Sequence, residues 1–250
     1  MMAGALALAA YAQGAWPLGF VALLPWLWLL GRATTLPRTL LLGWAMTVLL
    51  ALAGCYWFGF AIGRFTGLGP AAGLALLVIA APLLQPQLLA WALARQLVGR
   101  QRGALAGALA GAAAWVGVEW ALLKPLGDTL AHGLYPALRL RQGADLVGTA
   151  GLTLMLLLAN EALLAALSRR AQGWRALVAP LGAALLPPLL FAAHGQAVLA
   201  RIDQTQAVPT LRIGMVQANI TDLEERRRSQ GSYEAVRGLL DLHFAMSHDA

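Results

Sequence analysis

The sequence predicts a polytopic helical membrane bundle followed by the opening strand and helix of an extramembrane domain. Three observations carry this. Apolar residues make up 60% of the chain against 12% charged, and the mean hydropathy is +0.68; soluble domains carry roughly 25% charged residues. Apolar stretches alternate with short arginine-bearing connections from the start to about Ala193. The pattern then changes at Pro209-Thr-Leu-Arg-Ile-Gly-Met-Val-Gln-Ala-Asn-Ile220, after which charges and amphipathic spacing appear. The expected division is therefore a membrane domain over 1–194 and an extramembrane one over 195–250.

About seven spans are expected, since about twenty apolar residues cross the hydrocarbon. Met1 to Ala12 reads as a short first span; it lacks the basic start of a signal peptide. Gln13-Gly-Ala-Trp-Pro17 turns the chain, with Pro17 suited to a first helical turn. The second span runs from about Trp16 to Leu30, and Arg32 and Arg38 flank the next connection. A third span covers about Leu40 to Ile62, closed by the glycine-rich Gly63-Arg-Phe-Thr-Gly-Leu-Gly-Pro70. The fourth, about Ala71 to Ala94, holds Pro82 and Gln85-Pro-Gln87, and a kink is expected there because proline frees backbone groups. The fifth, about Ala104 to Leu123, opens with Gly103, Gly107 and Gly111, a spacing that lets another helix approach closely. A long loop from Lys124 to Ala144 precedes the sixth span, about Asp145 to Leu167, and the seventh covers about Ala176 to Ala193.

Loop charge sets the expected orientation. With a cytoplasmic amino terminus, eight arginines (32, 38, 95, 100, 102, 169, 170 and 175) lie in cytoplasmic loops, against Arg64, Lys124, Arg139 and Arg141 opposite. That bias places everything after His194 outside the cytoplasm. The net charge of +7 is spread over these loops, which argues for membrane orientation and against nucleic acid as a partner.

Beyond the bundle, Leu211, Ile213, Met215 and Val216 form a β-type run with Gln217 and Asn219 at its end, positions that face an active site or serve turns. Tyr233, Val236, Leu239, Leu240 and Phe244 then recur at helical spacing. One strand and one helix cannot bury enough surface to fold alone.

Chemistry-bearing residues are few. Cys55, the single cysteine, reads as a small buried hydrophobe; it supports neither a disulfide nor a metal site, and apolar surroundings raise a thiol's pKa. Glu161 either pairs with a polar side chain or lines a cavity. Glu119, between Trp115 and Trp120, either makes a structural polar contact or stands near a lipid access path. His132 and His194 read as solvated or capping loop residues, and His243 and His248 as exposed. Tryptophans 16, 26, 28, 57, 115 and 120 read as belt or packing residues. No cofactor is expected.

Several stretches together resemble a bacterial apolipoprotein N-acyltransferase, an integral membrane member of the nitrilase superfamily. They are Trp16-Pro17, Gly54-Cys-Tyr-Trp57 with Gly67-Leu-Gly-Pro70, Trp115-Val-Gly-Val-Glu-Trp120, Ala144-Asp-Leu-Val-Gly-Thr-Ala-Gly-Leu152 and Arg212-Ile-Gly-Met-Val-Gln-Ala-Asn-Ile220. The loop after Trp120 departs from the family's Gly-Phe-Pro-Trp type. The resemblance implies a membrane bundle, then an extracytoplasmic nitrilase-like αββα domain, at the bacterial inner membrane. It implies ping-pong acyl transfer, in which a cysteine thiolate takes an acyl chain from a phospholipid donor and passes it to the amino-terminal diacylglyceryl-cysteine of an apolipoprotein acceptor. The family's catalytic Glu, Lys and Cys lie further along than Ala250, so no catalytic residue is expected here, and the chain reads as a fragment inactive alone. Glu119 and Trp120 are the expected substrate-binding residues. A membrane scaffold paired with a separate nitrilase chain, or a transporter-like bundle, are the alternative readings.

Overall fold

The computed structural model describes residues 2–4, 6, 10, 13–122, 128–204, 213–217, 219–220 and 222–248. It divides into two units, Met1–Asp203 and Gln204–Ala250.

The first unit is a helical bundle whose helices begin and end where local chemistry dictates. A 3₁₀ turn over Trp16–Phe20, with Pro17 in its first turn, leads to α1 (Leu24–Gly31). Helix α2 (Leu36–Thr66) opens behind extended Thr35 with proline in its first turn, and ends at Gly67 with φ +73°. That left-handed closure favours glycine. Pro70 starts α3 (Pro70–Leu84) and Pro86 starts α4 (Pro86–Arg102), positions where a missing N–H costs no hydrogen bond. Gly103 (φ +89°) turns the chain into α5 (Ala104–Ala121). A 3₁₀ turn over Leu130–Leu134 and the short α6 (Leu138–Arg141) precede α7 (Ala144–Arg169) and α8 (Arg175–Asp203).

Two breaks shape the helices. Cys55 lies outside helical φ/ψ and kinks α2, whose 31 residues would otherwise rise about 46 Å, well beyond the hydrocarbon thickness. The expected kink in the fourth span is a 48° bend between α3 and α4 at Gln85; Pro82 stays inside α3. Among the described residues α2, α5, α7 and α8 are long and apolar enough to cross a membrane, and the bent α3–α4 pair makes five. The count is thus below the expected seven. Trp16–Gly31 is a shorter apolar helix, and most of the proposed first span lies outside the described residues. The last helix runs through His194 to Asp203.

Tryptophan supplies the centre of the bundle. The Trp26, Trp91 and Trp115 rings meet edge to face with centroids 5.2 and 5.5 Å apart, surrounded by Leu27, Leu30, Met46 and Leu157. Edge-to-face geometry sets the positive rim of one ring against the negative face of the next. The Trp26 indole N–H donates to the Leu42 carbonyl at 2.9 Å, joining α1 to α2. Glycine permits the tightest crossings. A Cβ on Gly107 would stand 2.7 Å from the Arg95 carbonyl oxygen, and one on Gly111 would overlap the Trp91 ring, so α5 lies directly on α4. A second core packs Leu134, Leu140, Met155 and Leu156 together, with Trp16 and Phe191 against it.

In the second unit, α9 (Leu223–Gln230) and α10 (Ser232–His248) join at Gly231, with φ +84°. Ion pairs Arg226–Asp222 at 3.0 Å and Arg227–Glu224 at 3.3 Å brace the first turns. The predicted stripe is present on α10, and its Tyr233, Val236, Leu240 and Phe244 are exposed. The expected strand is not formed among the described residues. Residues 213–217 adopt no regular structure, while Leu211 and Arg212 lie outside the described residues. An extended run becomes a strand only with a neighbour to pair its N–H and C=O groups, and no strand–helix unit is seen among the described residues.

Candidate functional site at the Glu119 end of the bundle

At the carboxyl end of α5 three elements bring polar side chains together. Glu119 comes from the last turn of α5, Thr129 from the cap of the Leu130–Leu134 turn, and Thr153 from α7. The Thr129 hydroxyl donates to Glu119 Oε2 at 3.0 Å, and the Thr129 and Thr153 hydroxyls are 2.6 Å apart. A carboxylate only accepts, so Thr129 spends its proton on Glu119 and Thr153 must donate to Thr129. Thr153 in turn accepts from the Ala131 N–H at 3.3 Å. The bonds therefore run in one direction, from backbone amide through two hydroxyls to the carboxylate, and each polarises the next. His132 Nδ1 accepts from the Thr129 N–H at 3.3 Å, closing a capping box. The capping role read for His132 is thus its observed one.

A second polar strand lies at the α3–α4 bend. The Gln87 amide donates to Gln85 Oε1, and Gln85 Nε2 donates to Asp128 Oδ2 at 3.0 Å. Gln87 is 1% exposed. The bend that frees the backbone at Gln85 also turns its side chain to the loop bearing Asp128, one residue before Thr129.

The expected substrate-binding pair divides. Glu119 turns into the polar chain, whereas Trp120 is 89% exposed. Neighbouring residues on a helix point about 100° apart, so both face one ligand only at the surface edge between them. Of the tryptophans, Trp26 and Trp115 are core residues, while Trp28 and Trp57 are exposed.

Other sequence candidates have structural partners. Glu161 accepts from Arg95 Nε at 2.5 Å and from its Nη2 at 3.0 Å, with side chains 6% and 15% exposed. This fork joins α4 to α7 and satisfies the pairing read for Glu161. Beside it Asn160 Oδ1 accepts from the Leu23 N–H at 3.0 Å, and Asn160 Nδ2 donates to the Gly19 carbonyl at 2.9 Å, anchoring the approach to α1. Cys55 is half-buried at the α2 kink.

His194 corrects the sequence reading. It lies within α8, not in a loop, and its Nε2 stands 2.9 Å from Asp145 Oδ1. Two glycines make this meeting. Gly148, at φ +65° and ψ −178°, kinks α7 near its start, and Asp145 stands on the short turn before that kink; only glycine readily adopts that conformation. Gly195 lets α8 press on α6, since its Cβ would overlap the Arg139 carbonyl. Asp145 and Gly148 lie inside one sequence motif, Ala144–Leu152, yet nothing local points to a histidine 49 positions on. Among the described residues no three His, Cys, Asp or Glu side chains cluster as a metal site would require.

Residues 3–162 match the family model described as the apolipoprotein N-acyltransferase N-terminal domain. Comparison with curated proteins and with solved structures returns no match. The matched region holds the Trp26–Trp91–Trp115 core, the Arg95–Glu161 fork and every side chain of the Glu119 chain. A match over well over half of its length shows that this chain belongs to the apolipoprotein N-acyltransferase family.

Proposed function

We propose that the chain forms the membrane-embedded, lipid-handling part of an N-acyl transfer system. The acyl chain would pass from a phospholipid to the amino-terminal diacylglyceryl-cysteine of a lipoprotein at the bacterial inner membrane, with the residues after α8 extracytoplasmic. The observation that carries the reading is the family match over residues 3–162.

In such a transfer a thiolate attacks the phospholipid ester carbonyl, a thioester forms and lysophospholipid leaves. The lipoprotein amine then attacks the thioester and the thiol is released. The single cysteine here, Cys55, is not the proposed nucleophile: it sits half-buried at the kink of the apolar helix α2. The nucleophile, base and oxyanion partner are accordingly assigned to a nitrilase-like domain, and the present residues to seating the lipids beside it. Glu119, held by Thr129, and the outward Trp120 are the proposed contacts at the membrane edge: the ring suits the interface and the carboxylate suits an amine.

The test is a mass measurement on purified protein incubated with phospholipid. The chain alone is expected to gain no acyl adduct, and its fusion to the nitrilase half of a related enzyme to gain one and to N-acylate a diacylglyceryl-cysteine peptide. In that fusion Glu119→Gln with Trp120→Ala is expected to raise KM for the peptide about ten-fold, the loss of one charge-assisted contact. An adduct on Cys55, abolished by Cys55→Ser, would overturn the assignment.

A further inference from the structure

The bundle carries an apolar cleft of about 770 Å³ lined by Met2 and Ala3, by α1 and the first half of α2, and by the end of α7 with the Arg170–Gln172 turn that follows it. Its walls include Trp26, Trp28, Leu42, Met46 and Leu164, and Arg170 stands at its rim beside Ser168. The volume falls within the roughly 300–1,000 Å³ of ligand sites. Thr153 and Ser168 are fifteen positions apart on α7, so the cleft lies about 22 Å along that helix from the Glu119 chain.

Three features select its occupant. The walls are hydrocarbon and indole, so bound water would find few partners there. The lining positions run along the axes of two helices long enough to cross a membrane, from Leu42 to Leu49 on α2 and from Leu164 to Ser168 on α7. A guest is thus guided along the helix axes for about 10 Å. The rim is cationic. Arg170 is exposed, with no carboxylate partner among the described residues, and Arg32 stacks on the wall residue Trp28 with its guanidinium carbon 3.6 Å from the ring centroid. Ser168 already directs its proton to the Ala165 carbonyl, so Arg170 is the rim's strong donor. We propose that this cleft seats one acyl chain of an anionic phospholipid, with Arg170 holding the headgroup phosphate. The site is independent of the acyl-transfer reading, which concerns the opposite end of α7.

Native mass spectrometry of the purified chain with phosphatidylglycerol or phosphatidylcholine of equal chain length tests this. One phosphatidylglycerol is expected to survive activation that strips phosphatidylcholine. Arg170→Gln should lower its occupancy about ten-fold, the loss of a charge-assisted contact, whereas Arg175→Gln in the same basic run should change it far less. Ala45→Trp, which fills the cleft, should abolish retention; Leu49→Phe serves the same purpose if the larger residue unfolds the bundle. Equal losses from Arg170→Gln and Arg175→Gln would mean diffuse surface attraction and overturn the site, as would retention in the filled variants.

Discussion

Gly107 offers the sharpest test of the bundle, because the atoms its side chain would meet are backbone. A Cβ there would lie 2.7 Å from the Arg95 carbonyl oxygen and 2.8 Å from the Gly99 Cα. Carbon contacts are comfortable at about 3.5–4.0 Å, so α4 and α5 would have to separate by about 1 Å at this crossing. Overpacking of this kind costs about 1–3 kcal/mol. Alanine's better helix propensity returns about 0.5–1 kcal/mol, which leaves Gly107→Ala about 0.5–2 kcal/mol less stable. Gly107→Leu, which adds bulk and gains no further propensity, belongs at or above 3 kcal/mol. The displaced carbonyl belongs to Arg95, so part of the loss arises from loosening the fork to Glu161. Gly117 on the same helix is the control: nothing lies within 4 Å of its would-be Cβ, and Gly117→Ala should be neutral or stabilising by up to about 1 kcal/mol. Unfolding in mixed micelles, followed by fluorescence of the buried tryptophans, gives both values. If Gly107→Leu keeps the wild-type midpoint while Gly117→Leu lowers it, the packed face of α5 is the other one.

Three further outcomes follow from named contacts. Glu161→Gln leaves the largely buried Arg95 guanidinium without its counter-charge and should destabilise by about 3–5 kcal/mol, whereas Arg95→Met with Glu161→Met should recover most of that; additive losses in the same micelle assay would deny the coupling. Gly148→Ala forces alanine to φ +65° and ψ −178° and should cost about 1–3 kcal/mol, against little change for Gly182→Ala, where a Cβ meets nothing within 4 Å; equal midpoints would refute the conformational argument. In a Cys55→Ser background, Ser168→Cys should resist a membrane-impermeant thiol reagent in intact cells and Ser229→Cys should react; labelling at Ser168→Cys alone would invert the orientation drawn from loop arginines.

What the sequence determined by itself is local. Among the described residues hydropathy marked five stretches, the bent pair counted as one, that are long and apolar enough to cross a membrane, because every backbone group in a lipid-facing segment must be satisfied inside that segment; its count of seven was too high there. Pro17 marked a first helical turn and the glycine-rich Gly63–Pro70 stretch a break between helices because backbone preferences act within one turn. The stacked glycines of α5 announced a close helix contact before its partner was known. Tertiary structure decided which distant groups meet. Arg95 with Glu161, Asp145 with His194, and Thr153 with Thr129 are pairings across 66, 49 and 24 positions, set by where helices cross. Periodicity places a side chain on a face and says nothing of what stands opposite, so His194 read as a loop residue and Glu119 had no visible partner. The β-type run shows the same limit from the other side. Residues 213–217 have strand composition, but a strand is a property of two chains of hydrogen bonds, and its partner is not chosen by the residues that propose it.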